Sequence, residues 1–349
     1  MKLNSFKLFL KKKDIDISAK RYFIDAMGAM AQGLFASLLV GTILGTLGSV
    51  TKFDIFTQMG TFAKAVSGPA MAVAIGYALK APPLVLFSLL AVGQSANTMG
   101  GAGGPLAVFI IAIISAEFGK AVSKETKVDI IVTPFITIAA GVLLSVGIAK
   151  YIGIAANYIG DLIMLATELQ PFLMGIVVSV MVGIVLTLPI SSAAICHALG
   201  LVGLAGGAAL AGCCAQMVGF AFLSFKENKW SGLISQGIGT SMLQVPNIIR
   251  KPIIWLPVII TSAITGPMAT CLFKLEMNGA AISSGMGTCG FVGQIGVIEG
   301  WINNGKAIGA FDIIGLLMIS FVIPAVLTPL IGMLFRKIGW ISDGDLRLD

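Results

Sequence analysis

Residues 93–120 read GQSANTMGGAGGP and then LAVFIIAIISAEFGK. Gly93, Gln94, Ser95, Asn97 and Thr98 crowd the start, four more glycines and Pro105 follow, and the stretch becomes an apolar helical pattern that carries Glu117. In a soluble chain this would be a loop feeding a buried helix. Here the neighbouring stretches are apolar on both sides, so the segment belongs at membrane depth. Polar side chains, Gly and Pro are costly there unless they line a cavity or pack within protein. The segment is therefore either a water-facing solute site or a tight turn, and the rest of the chain has to decide between them.

The 349 residues are 57% hydrophobic and 11% charged, with mean hydropathy +0.98. Soluble domains carry about 25% charged residues. Apolar runs of about 20 residues recur, the length that crosses a bilayer as helix, and the alternating pattern of a membrane barrel is absent. The fold class is an all-α, polytopic helical integral membrane protein. The net charge is +7. Residues 1–21 hold seven bases (Lys2, Lys7, Lys11, Lys12, Lys13, Lys20 and Arg21) against Asp14 and Asp16. Leu3, Phe6, Phe9 and Leu10 give this segment an apolar face, which suits an interfacial helix on anionic membrane lipid. With a span directly following, the bases are not read as a nucleic-acid site. The apolar run after Tyr22 is too long for a cleaved signal peptide.

Spans are expected near 22–50, 61–79, 84–96 with 106–122, 128–149, 172–188, 190–204, 207–225, 253–272 and 313–335. That makes about ten crossings; the short segments 84–96 and 190–204 also read as re-entrant hairpins, which would alter the count. Residues 230–251 mix Gln236, Thr240, Gln244 and Asn247 with apolar residues and are too polar to face lipid. Placing the loops at Lys80, at Lys120, Lys124 and Lys127, at Lys226 and Lys229, and at Arg250 and Lys251 inside satisfies the positive-inside rule and puts both termini in the cytoplasm. Shifting the chain by 107 residues pairs Gly68 with Gly175, Pro82 with Pro189, Gly93 with Gly200, Gly100 with Gly207 and Phe118 with Phe225. This suggests an internal repeat of parallel copies, as transporters carry. The expected plan is a basic terminus (1–21), one membrane domain (22–337, with repeat-like units 22–127 and 128–229 and a third part 230–337) and a cytoplasmic tail (338–349).

No Walker loop, zinc-protease motif or nucleophile elbow occurs, so no catalytic residue, metal or cofactor is assigned and the chain is not read as an enzyme. Cys196, Cys213, Cys214, Cys271 and Cys289 lie in apolar or Gly-rich context and read as packing residues. The single histidine, His197, reads as a polar group at a helix end. Glu117 reads either as a carboxylate paired with Lys120 or Lys124 or as an acceptor for a hydroxylated solute. Glu299 stands beside Trp301, an acid and an aromatic of the kind that suit a sugar; the other reading is a loop-end carboxylate. A second Gly-rich stretch, 278–300, offers Ser283, Ser284, Thr288 and Gln294. The two stretches together give the candidate substrate-binding set: Gln94, Asn97, Thr98, Glu117, Ser283, Ser284, Thr288, Gln294 and Glu299. Neutral amides and hydroxyls fit an uncharged polyol better than a metal ion or a peptide. Helix packing through small residues is the competing reading, and it explains the glycines better than the amides.

At GGAGGPLAVFIIAIISAEFGKAVSKETKVDIIVTPFITIAAG (Gly100–Gly141) and SSGMGTCGFVGQIG (Ser283–Gly296) the chain resembles the membrane-embedded EIIC permeases of the bacterial sugar phosphotransferase system (PTS), nearest to their PfoR-like branch. The resemblance implies a multi-pass protein of the bacterial cell membrane. It would bind and translocate a sugar-like small molecule, work as a homodimer, and pass the sugar to separate cytoplasmic EIIB and EIIA proteins for phosphorylation. Members of this branch are also named as regulators, which implies a membrane sensor that binds a solute without moving it. The better-known EIIC groups hold the sugar with the Glu of a Thr-Glu-Pro or Thr-Glu-Glu motif. This chain has no such motif, only Glu299 at the end of its second Gly-rich stretch.

Overall fold

The computed structural model describes residues 8–348. The start of the basic terminus, with Leu3 and Phe6, lies outside them. The described chain is helical, with one isolated β-bridge between Gly203 and Met277. In order the helices are α1 (Lys20–Thr51), α2 (Asp54–Ala65), α3 (Ser67–Ala78), α4 (Pro83–Gly100), α5 (Gly104–Val122), α6 (Asp129–Thr167), α7 (Pro171–Thr187), α8 (Ser192–Ala198), α9 (Gly203–Leu223), α10 (Phe225–Ile234), α11 (Val245–Arg250), α12 (Pro252–Leu272), α13 (Val292–Asn303) and α14 (Ala310–Lys337). Prolines open α4 and α7, where a missing N–H costs nothing.

By length and composition, six helical stretches among the described residues suffice to cross a membrane: α1, the run Pro83–Val122 (which turns back at Gly101 between α4 and α5), α6, α9, α12 and α14. This corrects the expected ten. The span expected at 61–79 breaks near Val66 into two 12-residue helices, each about 18 Å long and too short to cross. The segment 190–204 holds the seven residues of α8, a turn and the first two residues of α9. The span expected at 128–149 continues unbroken to Thr167. The re-entrant reading also loses its basis, because it rested on a short helix at 84–96. In fact α4 runs for 18 residues through Gln94, Ser95, Asn97 and Thr98 to Gly100.

The 107-residue repeat is likewise not found in the elements. Gly93 lies mid-helix against Gly68, whereas its proposed mate Gly200 is a loop residue at φ +59°. The 18 residues of α4 correspond under that shift mainly to the short α8 and the turn after it. Glycines recur in both places for different reasons, close packing in one and a left-handed turn in the other.

The chain forms two compact units: the described part of Met1–Leu38 with Phe62–Ala155, and Leu39–Thr61 with Ala156–Asp349. In the first, α3, α4, α5 and the start of α6 pack through small residues. A Cβ on Gly68 would lie 2.5 Å from the Gly93 carbonyl oxygen, and one on Gly103 would lie 2.7 Å from that of Ile152. Gly119 faces Val85 and Gly104 faces Asn97, so the apolar run turns back at Gly101, whose φ is +52°.

In the second unit α9 is the centre. Its apolar window is 94% buried, against 22% for α6, whose Ile130, Ile131, Phe135 and Leu143 stand exposed as lipid-facing residues do. Helices α7, α12 and α14 surround α9. They approach it and one another through Gly212 on Ser179, Gly183 on Gly212, Gly266 on Gly175 and Gly219 on Thr328, the small-residue packing by which membrane helices associate without a hydrophobic driving force. The five cysteines are free, four of them buried and Cys271 exposed.

Candidate functional site

Gln216 sits fully buried near the middle of α9. Its Oε1 accepts from Trp255 Nε1 at 2.8 Å and Thr187 Oγ1 at 3.2 Å, and its Nε2 donates to Ser262 Oγ at 3.3 Å. Thr187 and Ser241 share a 2.8 Å hydrogen bond, and Ser179 donates to the Ser262 carbonyl at 2.7 Å. An amide inside lipid-depth protein needs such partners, because an unpaired polar atom there has no water to turn to. Gln216→Leu leaves the Trp255 indole N–H without its acceptor, whereas Thr187 keeps Ser241 and Ser262 keeps the Val258 carbonyl. The expected cost is about 1–3 kcal/mol, read as a lower thermal midpoint of the detergent-solubilised protein.

On the other side of α9 the second Gly-rich stretch folds as 3-10 turns at Ala281–Gly285 and Cys289–Phe291 before α13. Gly287, Gly290 and Phe291 all have left-handed φ of +52° to +60°, natural for the glycines and strained for phenylalanine. Ser284 donates to Leu201 O at 3.0 Å, Thr288 donates to Gly237 O, and Ser283 packs on Gly296. Gln294, Val297 and Trp301 share one face of α13 by their spacing and are buried towards α9. Gln294 Nε2 reaches only the Cys214 sulfur, at 3.4 Å.

Three buried polar atoms around this apolar cluster have no protein partner: Gln294 Oε1, Trp301 Nε1 and Ser320 Oγ. Ser320 lies on the π turn Met318–Val322 of α14, which packs on α9. Such turns are frequent at functional positions. A free acceptor, a free N–H and a free hydroxyl thus border one apolar cluster. Each costs free energy while unpaired.

Residues 24–348 match the family described as "Phosphotransferase system, EIIC". The chain belongs to that family. Its members are membrane transport domains, without catalytic machinery of their own, that typically partner with EIIB and EIIA components. The match fixes the family and does not single out a PfoR-like branch. No curated protein and no solved structure matches the chain.

In this EIIC-family chain the expected site residues fall into two groups. Gln94, Asn97, Thr98 and Glu117 lie in the first unit; Ser283, Ser284, Thr288, Gln294 and Glu299 lie in the second. Gln94 and Thr98 are exposed on α4, one turn apart, with Nε2 and Oγ1 at 3.5 Å. Asn97 is part-buried, its Oδ1 set beside Gly104.

Glu117 is tied into an ionic knot. Its carboxylate pairs with Lys120 at 3.0 Å and accepts from Tyr22 Oη at 3.2 Å. The Lys120 ammonium, nearly fully buried, also donates to Asp14 O at 2.6 Å and Leu79 O at 2.9 Å. Arg21 donates to the same Leu79 carbonyl at 2.7 Å and forks onto Asp14, holding the Asp14 carboxyl below its usual range against a smaller upward push from burial. The Leu79 carbonyl caps the end of α3, and two cations there complement the unpaired carbonyls of the helix C-terminus.

Glu299 and Trp301 point apart, Glu299 exposed and Trp301 buried with Lys306 over its ring at 5.0 Å. His197 is exposed near the end of α8. Among the described residues no group of three His, Cys, Asp or Glu is placed to hold a metal ion. Sequence reasoning passed over Gln216, Thr187, Ser262 and Ser320. For Gln216 a signal was present, a lone amide inside a 21-residue apolar span.

Proposed function

We propose that this EIIC-family chain binds and translocates a small uncharged polar solute, most naturally a sugar, and delivers it to a separate EIIB partner for phosphorylation. The observation that carries the reading is the buried seam between α9, α13 and the π turn of α14. Its own donors and acceptors are neutral and lie beside an indole, with the Lys306 ammonium over that ring at 5.0 Å, and three of its polar atoms lack protein partners. A neutral seam favours a neutral cargo, because an ion would need compensating charge at this depth. Trp301 adds an aromatic body with a polar handle.

The test is uptake of radiolabelled neutral sugars into proteoliposomes holding the full chain, with and without an EIIB protein, EIIA and phosphoenolpyruvate. Saturable uptake that rises when the phosphorylating components are supplied is expected. Retained binding of the sugar with no uptake under either condition would contradict translocation and leave a membrane sensor in its place.

A further inference from the structure

Residues 342–348 are held as a bound peptide is held. Beyond α14 the chain turns at Gly339 and Gly344, both at positive φ, and residues 342–348 lie back along the second unit. Asn228 reads the main chain at two points: its Nδ2 donates to Leu346 O at 2.8 Å and its Oδ1 accepts from Leu348 N at 2.9 Å. Gln244 Nε2 donates to the same Leu346 carbonyl at 2.9 Å, and Asn247 Nδ2 donates to Arg347 O at 2.8 Å. These amides continue inward as a hydrogen-bonded chain through Gln236 to Ser224.

The Leu346 side chain is fully buried in an apolar pocket that includes Phe220, Ile248, Ile254 and Phe335. Two carboxylates meet a basic rim. Asp343 lies between Lys226 at 2.5 Å and Arg336 at 2.7 Å, and Asp345 pairs with Lys251 at 2.7 Å. Beside the strap an open cavity of about 300 Å³ is lined by Glu227, Asn228, Ser231, Gly232, Arg347 and Leu348.

Backbone readers, a leucine pocket and a charged rim are the parts of a peptide-recognition site. The four hydrogen bonds between these amides and the strap read main-chain groups that any peptide carries, three carbonyls and one N–H, and side-chain selection rests on Leu346 and the two acids. We propose that this is a peptide-docking site closed in cis by residues 342–348, and that the partner it fits is a segment of a second protein with acidic-x-acidic-Leu chemistry. The inference does not depend on what the seam around Gln294 binds. The strap holds its place through high local concentration. Its outer clasp is exposed, with the Lys226 and Asp343 side chains each about two-thirds accessible, and such pairs are individually weak and screened by salt.

The test uses the full chain carrying Asp343→Asn and Asp345→Asn, and a labelled, amidated peptide of residues 341–348 (ISDGDLRL). The peptide is expected to bind the double variant at least tenfold more tightly than the wild type, where the strap competes. A peptide with both acids changed to Asn is expected to bind at least tenfold more weakly. A cysteine at position 348 (Leu348→Cys), with Cys271→Ser to remove the exposed native thiol, reports release directly. Its maleimide labelling should quicken at least fivefold when the two acids are neutralised. Equal peptide binding by the two proteins, no binding by either, or unchanged labelling would overturn the proposal and make the strap a fixed piece of the core.

Discussion

Lys120→Met is expected to destabilise the first unit by about 3–5 kcal/mol, the effect of breaking a buried ion pair from one side. The ammonium has three acceptors, the Glu117 carboxylate and the carbonyls of Asp14 and Leu79. Methionine fills the space and satisfies none of them. Glu117 would then keep a largely buried charge with only Tyr22 as donor, and Leu79 would keep Arg21 alone. The double variant Lys120→Met/Glu117→Leu removes both charges and should recover much of the loss, because replacing a whole buried pair with apolar groups is often near neutral. A thermal melt of the four proteins of the cycle measures this. Equal losses for the single and double variants would show that the carboxylate is not what Lys120 stabilises.

Gly212→Leu should be at least as damaging. Gly212 lies where α9 meets α7, and even a methyl group there would overlap the Ser179 carbonyl oxygen. The obstacle is backbone, so no rotamer change relieves it, and two helices must separate. Alanine alone should cost about 1–3 kcal/mol by overpacking, and leucine should leave little monodisperse protein on size-exclusion chromatography. Gly147→Ala is the control. Gly147 has open space about it, and there alanine should be neutral or stabilising by up to about 1 kcal/mol, its gain in helix propensity. Similar behaviour of the Gly212 and Gly147 variants would contradict the packing account.

Much of this architecture was legible in the sequence. Apolar runs and charge depletion state the membrane class outright, because lipid imposes the same requirement on every span. The amides of 230–251 pointed to an interfacial or inward-facing helix; Gln236, Gln244 and Asn247 are buried, but the stretch is broken into short helical pieces. The helix count was not legible. Hydropathy cannot tell that α6 continues past Ala149 or that a helix breaks at Val66, since both outcomes preserve apolarity. The glycine matches misled for a related reason: a Gly that admits a neighbouring backbone and a Gly that turns left are the same letter. Glu117 with Lys120 three residues later carried the ion pair in its spacing, whereas Asp14 and Leu79, which complete the knot, are distant in sequence. Gln294 was reachable as a polar residue among glycines; Ser320, in an apolar span, could be found only once α14 was seen against α9.

The central claim is that the seam around Gln294 is built for a solute, and the most direct measurement pairs binding with stability in one variant, Gln294→Leu. The unpartnered Oε1 contributes nothing to the empty protein and costs free energy there. The account therefore predicts a thermal midpoint equal to or above the wild type, together with at least a tenfold loss of affinity for the transported sugar, about 1.4 kcal/mol. A variant that loses stability while its sugar affinity is unchanged would show that Gln294 serves the fold, and the account would fail.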